Sequence, residues 1–389
     1  MNILEDAWRE KILSFVEGRS SEQLQFILNL GHQNSFSFNK AGTDAVASMI
    51  LDRIGHLFPV HRVVEQEEVG DLHLLSTIRE GESIYLLGHM DTVFPPDHPF
   101  QACHVDGDRL HGPGCGGMKA GLATIVYALL ALEEVDDLRR IPLTVILAGD
   151  EEVGAVTSRP VYEEERKKAM ACLVVEGGGA NGEIVVSRNG KIGARIDCRG
   201  RDQHADTEEV PRASAILELA HKTIGLEGLN QTFSGARINV GQVAGGLGPA
   251  TVPGEAGALI DVRWEDQAVR DELVERIQGV VSRTDLPGCT SSLSILNERP
   301  AWPLTDGTQA LAGVIRTVGA ALGQSVHQEH RIGTSDSNFF GSAGVPTIDG
   351  LGPICEGYHT VEEFVYIPTI PERTSLVANS ILAMNEIMK

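Results

Sequence analysis

Apolar and polar residues follow two different patterns along this chain. At both ends, short continuous apolar runs alternate with stretches whose apolar residues recur at helical spacing. The runs are SIYLLGH, IPLTVILAG and ACLVV, and continuous apolar strands of this kind are typical of a parallel sheet covered on both faces. The pattern therefore predicts an α/β domain with a mostly parallel sheet.

The middle of the chain has a different pattern. GKIGARIDCRGRDQH and ALIDVRWED alternate like half-exposed strands, and the amphipathic helical patterns ASAILELAHKTIGL and DQAVRDELVERIQGVVSRT accompany them. After ILNERPAWP the first pattern resumes with GTQALAGVIRTVGAALG, VPTIDGLG and a last helix. We therefore expect a discontinuous α/β domain, residues 1–186 and 298–389, interrupted by an inserted α+β domain of residues 187–297.

Length, charge and cysteine usage narrow the class of protein. A chain of 389 residues is long for one core, which favours two domains. The formal net charge of −22 argues against nucleic acids and anionic membranes as partners, because both bind basic surfaces. The first residues lack a signal pattern, and no apolar run is expected to reach the roughly 18–20 residues of a membrane span. Six scattered cysteines predict free thiols and a cytoplasmic protein.

Three predicted strands end in acidic or imidazole side chains, and another histidine follows near the C-terminus: His89 and Asp91, Glu151 and Glu152, Glu176, and His359. Taken singly, such a histidine is more often structural, and such an acidic pair more often caps a helix. Ligands of open α/β sheets bind beyond the carboxyl ends of the strands, where these side chains converge. Imidazole and carboxylate donors suit zinc or a similar divalent ion, so the set indicates a metal site.

Seven segments make the chain resemble a known family. They are LLGHMDTV, GPGCGGMKAG, LAGDEEVGA, LVVEGGG, RINVGQVAGG, DVRW and GYHTVEEFVYIP, in that order. The chain resembles the two-zinc metallopeptidases and deacylases that include bacterial glutamate carboxypeptidase, acetylornithine deacetylase, succinyl-diaminopimelate desuccinylase and tripeptidase T. GYHTVEEFVYIPTIPER and ERPAWP are most similar to the glutamate carboxypeptidase branch. The resemblance implies a phosphorylase/hydrolase-like catalytic domain and an inserted lid domain through which a homodimer forms.

The resemblance also implies a role for each residue of the metal site. His89 and Glu176 would bind one metal ion, and Glu152 and His359 would bind the other. Glu151 would be the general base that takes a proton from metal-held water. The implied cofactor is one or two zinc ions, with cobalt or manganese as alternatives.

Other residues correspond to groups that position the substrate or a ligand. Asp91 would orient His89. His204 of the inserted domain corresponds to a histidine that donates to the oxyanion from the lid. Arg263 in DVRW corresponds to an arginine linked to substrate carboxylate binding, although a surface strand arginine is an equally good interpretation, and Arg331 is a second candidate. The implied substrate is a small peptide or an N-acyl amino acid, cleaved at an amide bond next to a carboxylate.

The glycine-rich loop departs from the family pattern at one residue. The family's loop reads Gly-Pro-Gly, two variable residues and then an aspartate that bridges both metals. HGPGCGGMKAG places Gly117 at that position, and no acidic residue between Asp108 and Glu133 could replace it. Further departures concern residues that resemble the substrate cleft: Gln203, Asp206, Ala250, and Arg331 with Ile332.

Three hypotheses accommodate this departure. The favoured one is a working hydrolase with one firmly bound metal, or with water, hydroxide or the Cys115 thiolate in place of the bridge, because the other ligands persist. The second is a non-catalytic protein that uses the fold to bind a ligand or to dimerise. The third is an enzyme of another class. A phosphate-binding loop is disfavoured because GPGCGGMKA lacks the Gly-Lys-Ser/Thr ending of a P-loop.

Overall fold

The chain forms two compact units in a computed structural model that describes residues 6–135, 138–208, 210 and 212–388. Unit 1 comprises Met1–Ser187, Leu304–Arg331 and Ser335–Lys389, and unit 2 comprises Arg188–Pro303 and Ile332–Thr334. Unit 2 is therefore inserted into the sequence of unit 1, and the short segment Ile332–Thr334 also belongs to it.

The described residues contain helices and strands in alternation. The α-helices are α1 (Asp6–Gly18), α2 (Ser20–His32), α3 (Lys40–Ile54), α4 (Ala120–Val135), α5 (Arg159–Glu165), α6 (Ala215–Thr232), α7 (Arg270–Ser282), α8 (Asp306–Ala321), α9 (Ser337–Gly341) and α10 (Thr369–Met388). The strands are β1 (Val60–Val64), β2 (Gly70–Ser76), β3 (Ser83–His89), β4 (His104–Asp106), β5 (Arg109–His111), β6 (Leu143–Gly149), β7 (Ala169–Val174), β8 (Glu183–Arg188), β9 (Gly190–Arg199), β10 (Gln203–His204), β11 (Ala236–Gly245), β12 (Thr251–Val252), β13 (Glu255–Trp264), β14 (Thr290–Arg299), β15 (His327–Arg331), β16 (Thr347–Ile348), β17 (Cys355–Glu356) and β18 (Phe364–Tyr366).

The central sheet of unit 1 has six strands in the order β1-β2-β6-β3-β7-β16. β3 runs parallel to both β6 and β7, and β16 runs parallel to β7. β1 and β2 form an antiparallel edge. Every residue of β3 and β6 is buried, as their continuous apolar runs predict. The expected α/β class with a mostly parallel sheet is confirmed.

Helix α4 is the apolar centre of unit 1. Together with the preceding π-helical turn it forms a 21-residue stretch, Cys115–Val135, with an 18-residue window that is apolar enough to cross a membrane by length and composition alone. The expectation that no apolar run reaches membrane-span length was therefore wrong, although 89% of that window is buried inside the protein, as in a core helix. Gly121 allows the close packing, because a Cβ there would lie 2.0 Å from the carbonyl oxygen of Val175.

A small antiparallel sheet, β17-β18-β5-β4, lies beside the glycine-rich loop. Its register pairs Phe364 with His111, so the segment after His359 is tied to the residue that opens the loop. Strands of two or three residues carry no recognisable periodicity, and the hydrophobic pattern did not predict this sheet.

Unit 2 consists of a four-stranded antiparallel sheet, β11-β13-β9-β14, with α6 and α7. Buried and partly exposed residues alternate along β9 and β13, because one face of the sheet packs on the helices. The core of this unit includes the fully buried Trp264 together with Leu219 and Ile277 of the helices. The alternating strands and amphipathic helices of the sequence predict this architecture.

Candidate metal centre

His89 is the last residue of β3 and lies almost completely buried. Its Nδ1 atom lies 3.1 Å from the Oδ1 atom of Asp91 and 3.1 Å from the Asp91 carbonyl oxygen. Because both neighbours are acceptors, Nδ1 carries a proton, and Nε2 is the nitrogen that remains to bind a cation. This is the usual arrangement of a metal-binding histidine held by a carboxylate.

The same Asp91 carboxylate also holds the backbone of the acidic pair. The Glu151 N–H donates to Oδ1 and the Glu152 N–H to Oδ2, each at 3.1 Å. The Ser37 hydroxyl donates to Oδ2 at 2.6 Å. Burial raises the pKa of Asp91, but the hydrogen bonds from His89 and these donors lower it more, so the carboxylate is charged. One buried anion therefore positions two strand ends of the sheet.

Two histidine–carboxylate pairs lie at this edge of the sheet. His89 Nε2 lies 3.4 Å from Glu176 Oε1, and His359 Nε2 lies 3.1 Å from Glu152 Oε2. Two ligands of a tetrahedral zinc ion are about 3.4 Å apart, given metal–ligand distances near 2.1 Å. The first pair matches that separation and the second is slightly closer, so the donor atoms fit a zinc-like ion.

Glu151 lies beside the first pair, with Oε2 3.9 Å from His89 Nε2. His89, Glu151 and Glu152 each offer a ligand atom within 4.8 Å of the others, the three-residue cluster of the described chain that could hold a metal ion. Glu151 is itself largely buried. Its carboxylate therefore stands next to the ligand pairs, where a general base would be needed.

His359 reaches the site from a strained backbone. Its φ is 61°, a left-handed conformation that is uncommon for residues other than glycine. Such outliers persist where surrounding structure imposes them, and they concentrate at functional sites. The side chain is 59% exposed, in contrast to the buried His89.

Without a cation, the cluster retains protons. Burial lowers the pKa of His89, but hydrogen bonds to Asp91 and Glu176 raise it well above its ordinary value. Burial raises the pKa of Glu152 to about 7, against the opposing hydrogen bond from His359. That same bond is the main reason that the pKa of His359 is raised. A bound cation would displace these protons.

Gly117 lies in the π-helical turn Cys115–Lys119 between the glycine-rich loop and α4. Its N–H donates to Oε1 of Glu363 at 2.7 Å. Gly116 donates to the same oxygen at 2.9 Å, and Gly114 to the other oxygen at 3.1 Å. A Cβ on Gly117 would meet Glu363 Oε1 at 3.5 Å, an ordinary contact, so the turn has room for a side chain.

Glu363 is a residue that sequence reasoning missed. It is 1% exposed, and burial raises its pKa while the three backbone hydrogen bonds oppose the rise. In the sequence it is the second glutamate of TVEEF, which reads as part of a solvated strand edge. Only its spacing of four residues after His359 links it to the site.

The Cys115 sulfur is already engaged with another cysteine. The residue is fully buried, and its sulfur lies 3.5 Å from that of Cys103. Its pKa is raised well above the ordinary value, with the hydrogen bond to Cys103 and burial as the main causes. A protonated thiol engaged with another cysteine is a poor replacement ligand, which argues against the thiolate hypothesis.

Two predicted substrate-handling residues belong to unit 2. The exposed His204 accepts a hydrogen bond at Nδ1 from the Asp206 backbone N–H at 3.3 Å, which leaves Nε2 as the donor that an oxyanion would need. The Arg263 guanidinium already binds both carboxylate oxygens of Asp261, at 2.7 and 3.3 Å. A substrate carboxylate would have to compete with Asp261 for that guanidinium.

The other arginine candidate lies in unit 1, close to a metal-site segment. Arg331 donates through a terminal nitrogen to the carbonyl oxygen of Gly177, at 2.9 Å. It also forms an ion pair with Glu329 at 2.5 Å, and only 22% of its side chain is exposed. Because Gly177 follows Glu176 directly, Arg331 supports the backbone beside a predicted ligand. Its predicted role in substrate binding stays a prediction.

Comparison with known proteins identifies the family. Residues 85–383 match the family described as Peptidase family M20/M25/M40. Carboxypeptidase G2 of Pseudomonas sp. strain RS-16 is 26% identical over 314 residues, which cover 78% of this chain and 74% of the relative. Succinyl-diaminopimelate desuccinylase of Alkalilimnicola ehrlichii is 29% identical over 322 residues, which cover 77% of this chain and 84% of the relative.

A solved structure shows the same fold over nearly the whole chain. The aminopeptidase PepT of Bacillus cereus superposes with a TM-score of 0.68 at 20% identity, covering 95% of this chain and 99% of that one. The chain belongs to peptidase family M20/M25/M40, a family of metal-dependent hydrolases. The resemblance identified from the sequence motifs is thereby confirmed.

Proposed function

We propose that this protein is a metal-dependent amidohydrolase that cleaves an amide bond next to a carboxylate. The observation that carries the proposal is the pair of histidine–carboxylate contacts, His89 with Glu176 and His359 with Glu152, at 3.4 and 3.1 Å. The names of two relatives support the substrate class, because a carboxypeptidase and a desuccinylase both act beside carboxylates. A peptide or an N-acyl amino acid is the substrate that we propose.

Each residue of the proposed site would have a separate role in the reaction. His89, Glu176, Glu152 and His359 would hold zinc, or cobalt or manganese in its place. The bound cation would polarise the scissile carbonyl and stabilise negative charge on its oxygen. Glu151 would accept the proton of the attacking water and pass it to the leaving amine. Asp91 keeps the His89 ring and the Glu151 backbone in place.

The proposal extends to groups of unit 2 and to assembly. His204 would donate from Nε2 to the developing oxyanion, and Arg263 or Arg331 would bind the substrate carboxylate. We also propose a cytoplasmic homodimer formed through unit 2. The strand at the edge of its sheet, β11, supports this, since most of its residues are exposed and it pairs with only one strand, β13, in the described part of the chain.

The test of this proposal measures both the metal content and the hydrolytic activity of the protein. Protein purified without chelator should contain zinc and should release amino acids from N-acyl amino acids or from C-terminal glutamate conjugates. Glu151→Gln should retain the metal but lose about 10²- to 10⁴-fold in kcat, the usual contribution of a general base. The exposed Glu164→Gln is the matched control and should retain both. Failure to bind zinc, cobalt or manganese at this cluster would refute the proposal.

Gly117 favours one alternative function. A glycine at the position of a bridging carboxylate offers no donor from its side chain, and the Arg263 guanidinium is already paired with Asp261. These observations are also those expected of a non-catalytic family member that uses the fold to bind a ligand or to dimerise. Metal-loaded protein that binds N-acyl amino acids without hydrolysing them would establish this alternative.

A further inference from the structure

Two of the six cysteines form a close pair that the proposed reaction does not use. The Sγ atoms of Cys103 and Cys115 lie 3.5 Å apart. Both belong to unit 1, where Cys103 lies in the loop before β4 and Cys115 opens the π-helical turn before α4. In the described part of the chain both are free thiols.

The surrounding backbone fixes the Cys103 sulfur at this position. A Cβ on Gly31 or on Gly112 would lie only 2.2 Å from it, so glycine at both positions makes room for the sulfur. The same sites face Cys115, whose sulfur would lie 3.1 and 3.0 Å from those Cβ positions. The two sulfurs therefore share one small space enclosed by two backbone segments.

The two thiols differ in exposure and in charge environment. Cys103 is partly exposed, whereas Cys115 is fully buried. The pKa of Cys103 is lowered, first by the hydrogen bond from Cys115 and also by the charge of Lys119. The Lys119 ammonium is itself buried and donates to the carbonyl oxygen of Gln33 at 2.9 Å. Cys103 is thus the more exposed residue of the pair and the thiol with the lowered pKa, and Cys115 is the hydrogen-bond donor beside it.

We propose that Cys103 and Cys115 are a reversible oxidation site that forms an intramolecular disulfide with a peroxide as oxidant. The Cys103 thiolate attacks one oxygen of hydrogen peroxide, the O–O bond breaks, and hydroxide leaves and is protonated to water. The resulting sulfenic acid is attacked by the Cys115 sulfur. The S–O bond breaks, a second water leaves with the Cys115 proton, and the S–S bond forms.

The geometry requires only a small movement for this bond. The sulfurs must approach by about 1.5 Å to reach a disulfide length near 2.05 Å. The bond would tie the loop that carries Cys103 to the turn that carries Gly117. This proposal does not depend on the proposed hydrolase activity, because the four ligands proposed for the metal, His89, Glu152, Glu176 and His359, include neither cysteine.

Peptide mapping of the full-length protein tests the proposal. Trypsin cleaves after Arg109 and Lys119, so Cys103 and Cys115 fall in two different peptides that only a disulfide can join. Treatment with stoichiometric hydrogen peroxide should remove two titratable thiols and lower the intact mass by about 2 Da, the mass of two hydrogens. The mapped peptides should be joined, and dithiothreitol should separate them and restore both thiols.

Variants distinguish this pair from the other thiols. Cys103→Ser should abolish the cross-link and leave Cys115 reduced, whereas Cys172→Ser, at a buried cysteine elsewhere in unit 1, should form it as the wild type does. If the Cys103 variant does not fold, the peptide map of the wild-type protein is sufficient to test the proposal, because it identifies which two cysteines are joined. The proposal is overturned if peroxide leaves all six thiols intact, if Cys103 becomes a sulfinic acid while Cys115 stays free, or if the cross-link joins other cysteines.

Discussion

Asp91 and Glu363 act mainly on the backbone of the site. Asp91 accepts hydrogen bonds from His89, Ser37 and the backbone N–H groups of the two adjacent glutamates. Glu363 accepts three backbone N–H groups of the glycine-rich loop. Charge-assisted hydrogen bonds of this kind are stronger than neutral ones. The shape of the site is therefore set by two buried anions that need not touch a metal ion.

Gly117→Asp tests whether the site lacks only the side chain of the family's bridging aspartate, with the other ligands already in place. The turn is already formed, and a Cβ there would contact only Glu363 Oε1 at 3.5 Å. An added carboxylate should raise zinc affinity at least about 10- to 100-fold, the effect seen even for groups that merely support a ligand. Isothermal titration with zinc measures the change.

Gly117→Ala is the matched control for that variant, because it adds the Cβ without the carboxylate. It should bind zinc as the wild type does. Without metal, the aspartate variant should be less stable than the alanine variant, since a second carboxylate would stand near Glu363. Unchanged zinc affinity in Gly117→Asp would mean that the proposed ligand geometry is wrong.

The sequence allowed prediction of those site residues that follow buried strands. His89, Glu151, Glu152 and Glu176 were found in this way, because parallel strands end at one edge of the sheet. Ser37 and Glu363 carry no such signal. Each contacts a site segment that is distant in sequence, Ser37 through Asp91 and Glu363 through the glycine-rich loop. A serine or a glutamate in such a local sequence gives no indication that its side chain is buried against a partner.

At the scale of elements, a buried ion cluster joins α6 to the segment after α7. Lys222 is fully buried and lies 2.8 Å from Glu218, one turn away, and 2.7 Å from Asp285. Glu218 also accepts the backbone N–H of Leu286 at 2.7 Å. Burial raises the pKa of Glu218, but the hydrogen bond from Lys222 and the backbone donors lower it more. The cluster therefore fastens a loop to a helix inside unit 2.

Lys222→Met should destabilise unit 2 by about 3–5 kcal/mol, because it leaves the Glu218 carboxylate buried without its partner. Denaturant unfolding measures the loss. Arg276→Met removes an exposed pair at the same helical spacing, with Glu272, and should cost at most about 1 kcal/mol. Equal losses in the two variants would show that the buried cluster contributes no more than a surface pair.

The pH dependence of the Lys222 cluster has a definite sign. The pKa of Glu218 is below its ordinary value of 4.5 in the folded protein, so its contribution is present above that pH and is lost as the pH falls through the folded pKa. In Lys222→Met the Glu218 carboxyl becomes neutral at low pH, and a neutral carboxyl needs no cation beside it. The stability difference between wild type and variant should therefore narrow as the pH is lowered below 4.5, and a constant difference would contradict the assignment.

Long elements were predictable and short ones were not. The buried strands β3 and β6 and the helix α4 follow from continuous apolar runs and helical spacing. The sheet β17-β18-β5-β4 consists of strands too short to show a period, yet it is the sheet that brings His359 and Glu363 to the glycine loop. Tertiary pairing between distant segments decides such elements, and local pattern does not record it.

At the scale of the whole molecule, metal binding should be visible as stability. A ligand that binds only the folded state at 100 times its Kd adds about 2.7 kcal/mol. Zinc should therefore raise the midpoint of thermal unfolding, and a chelator should reverse the shift. His89→Gln should weaken the response, because it removes one of the four predicted ligands, whereas His221→Gln, on the exposed surface of α6, should retain it in full. An undiminished zinc response in His89→Gln would place the metal elsewhere.

The turn around Gly117 also bears on how this protein arose. Since Glu363 holds the loop through backbone N–H groups alone, the turn keeps its form whichever side chain residue 117 carries. Two of the four glycine codons become aspartate codons by a single base change. The turn thus has room for either residue, with the second carboxylate near Glu363 as the opposing factor when no metal is bound, and the persistence of glycine would be decided by selection on what the protein does.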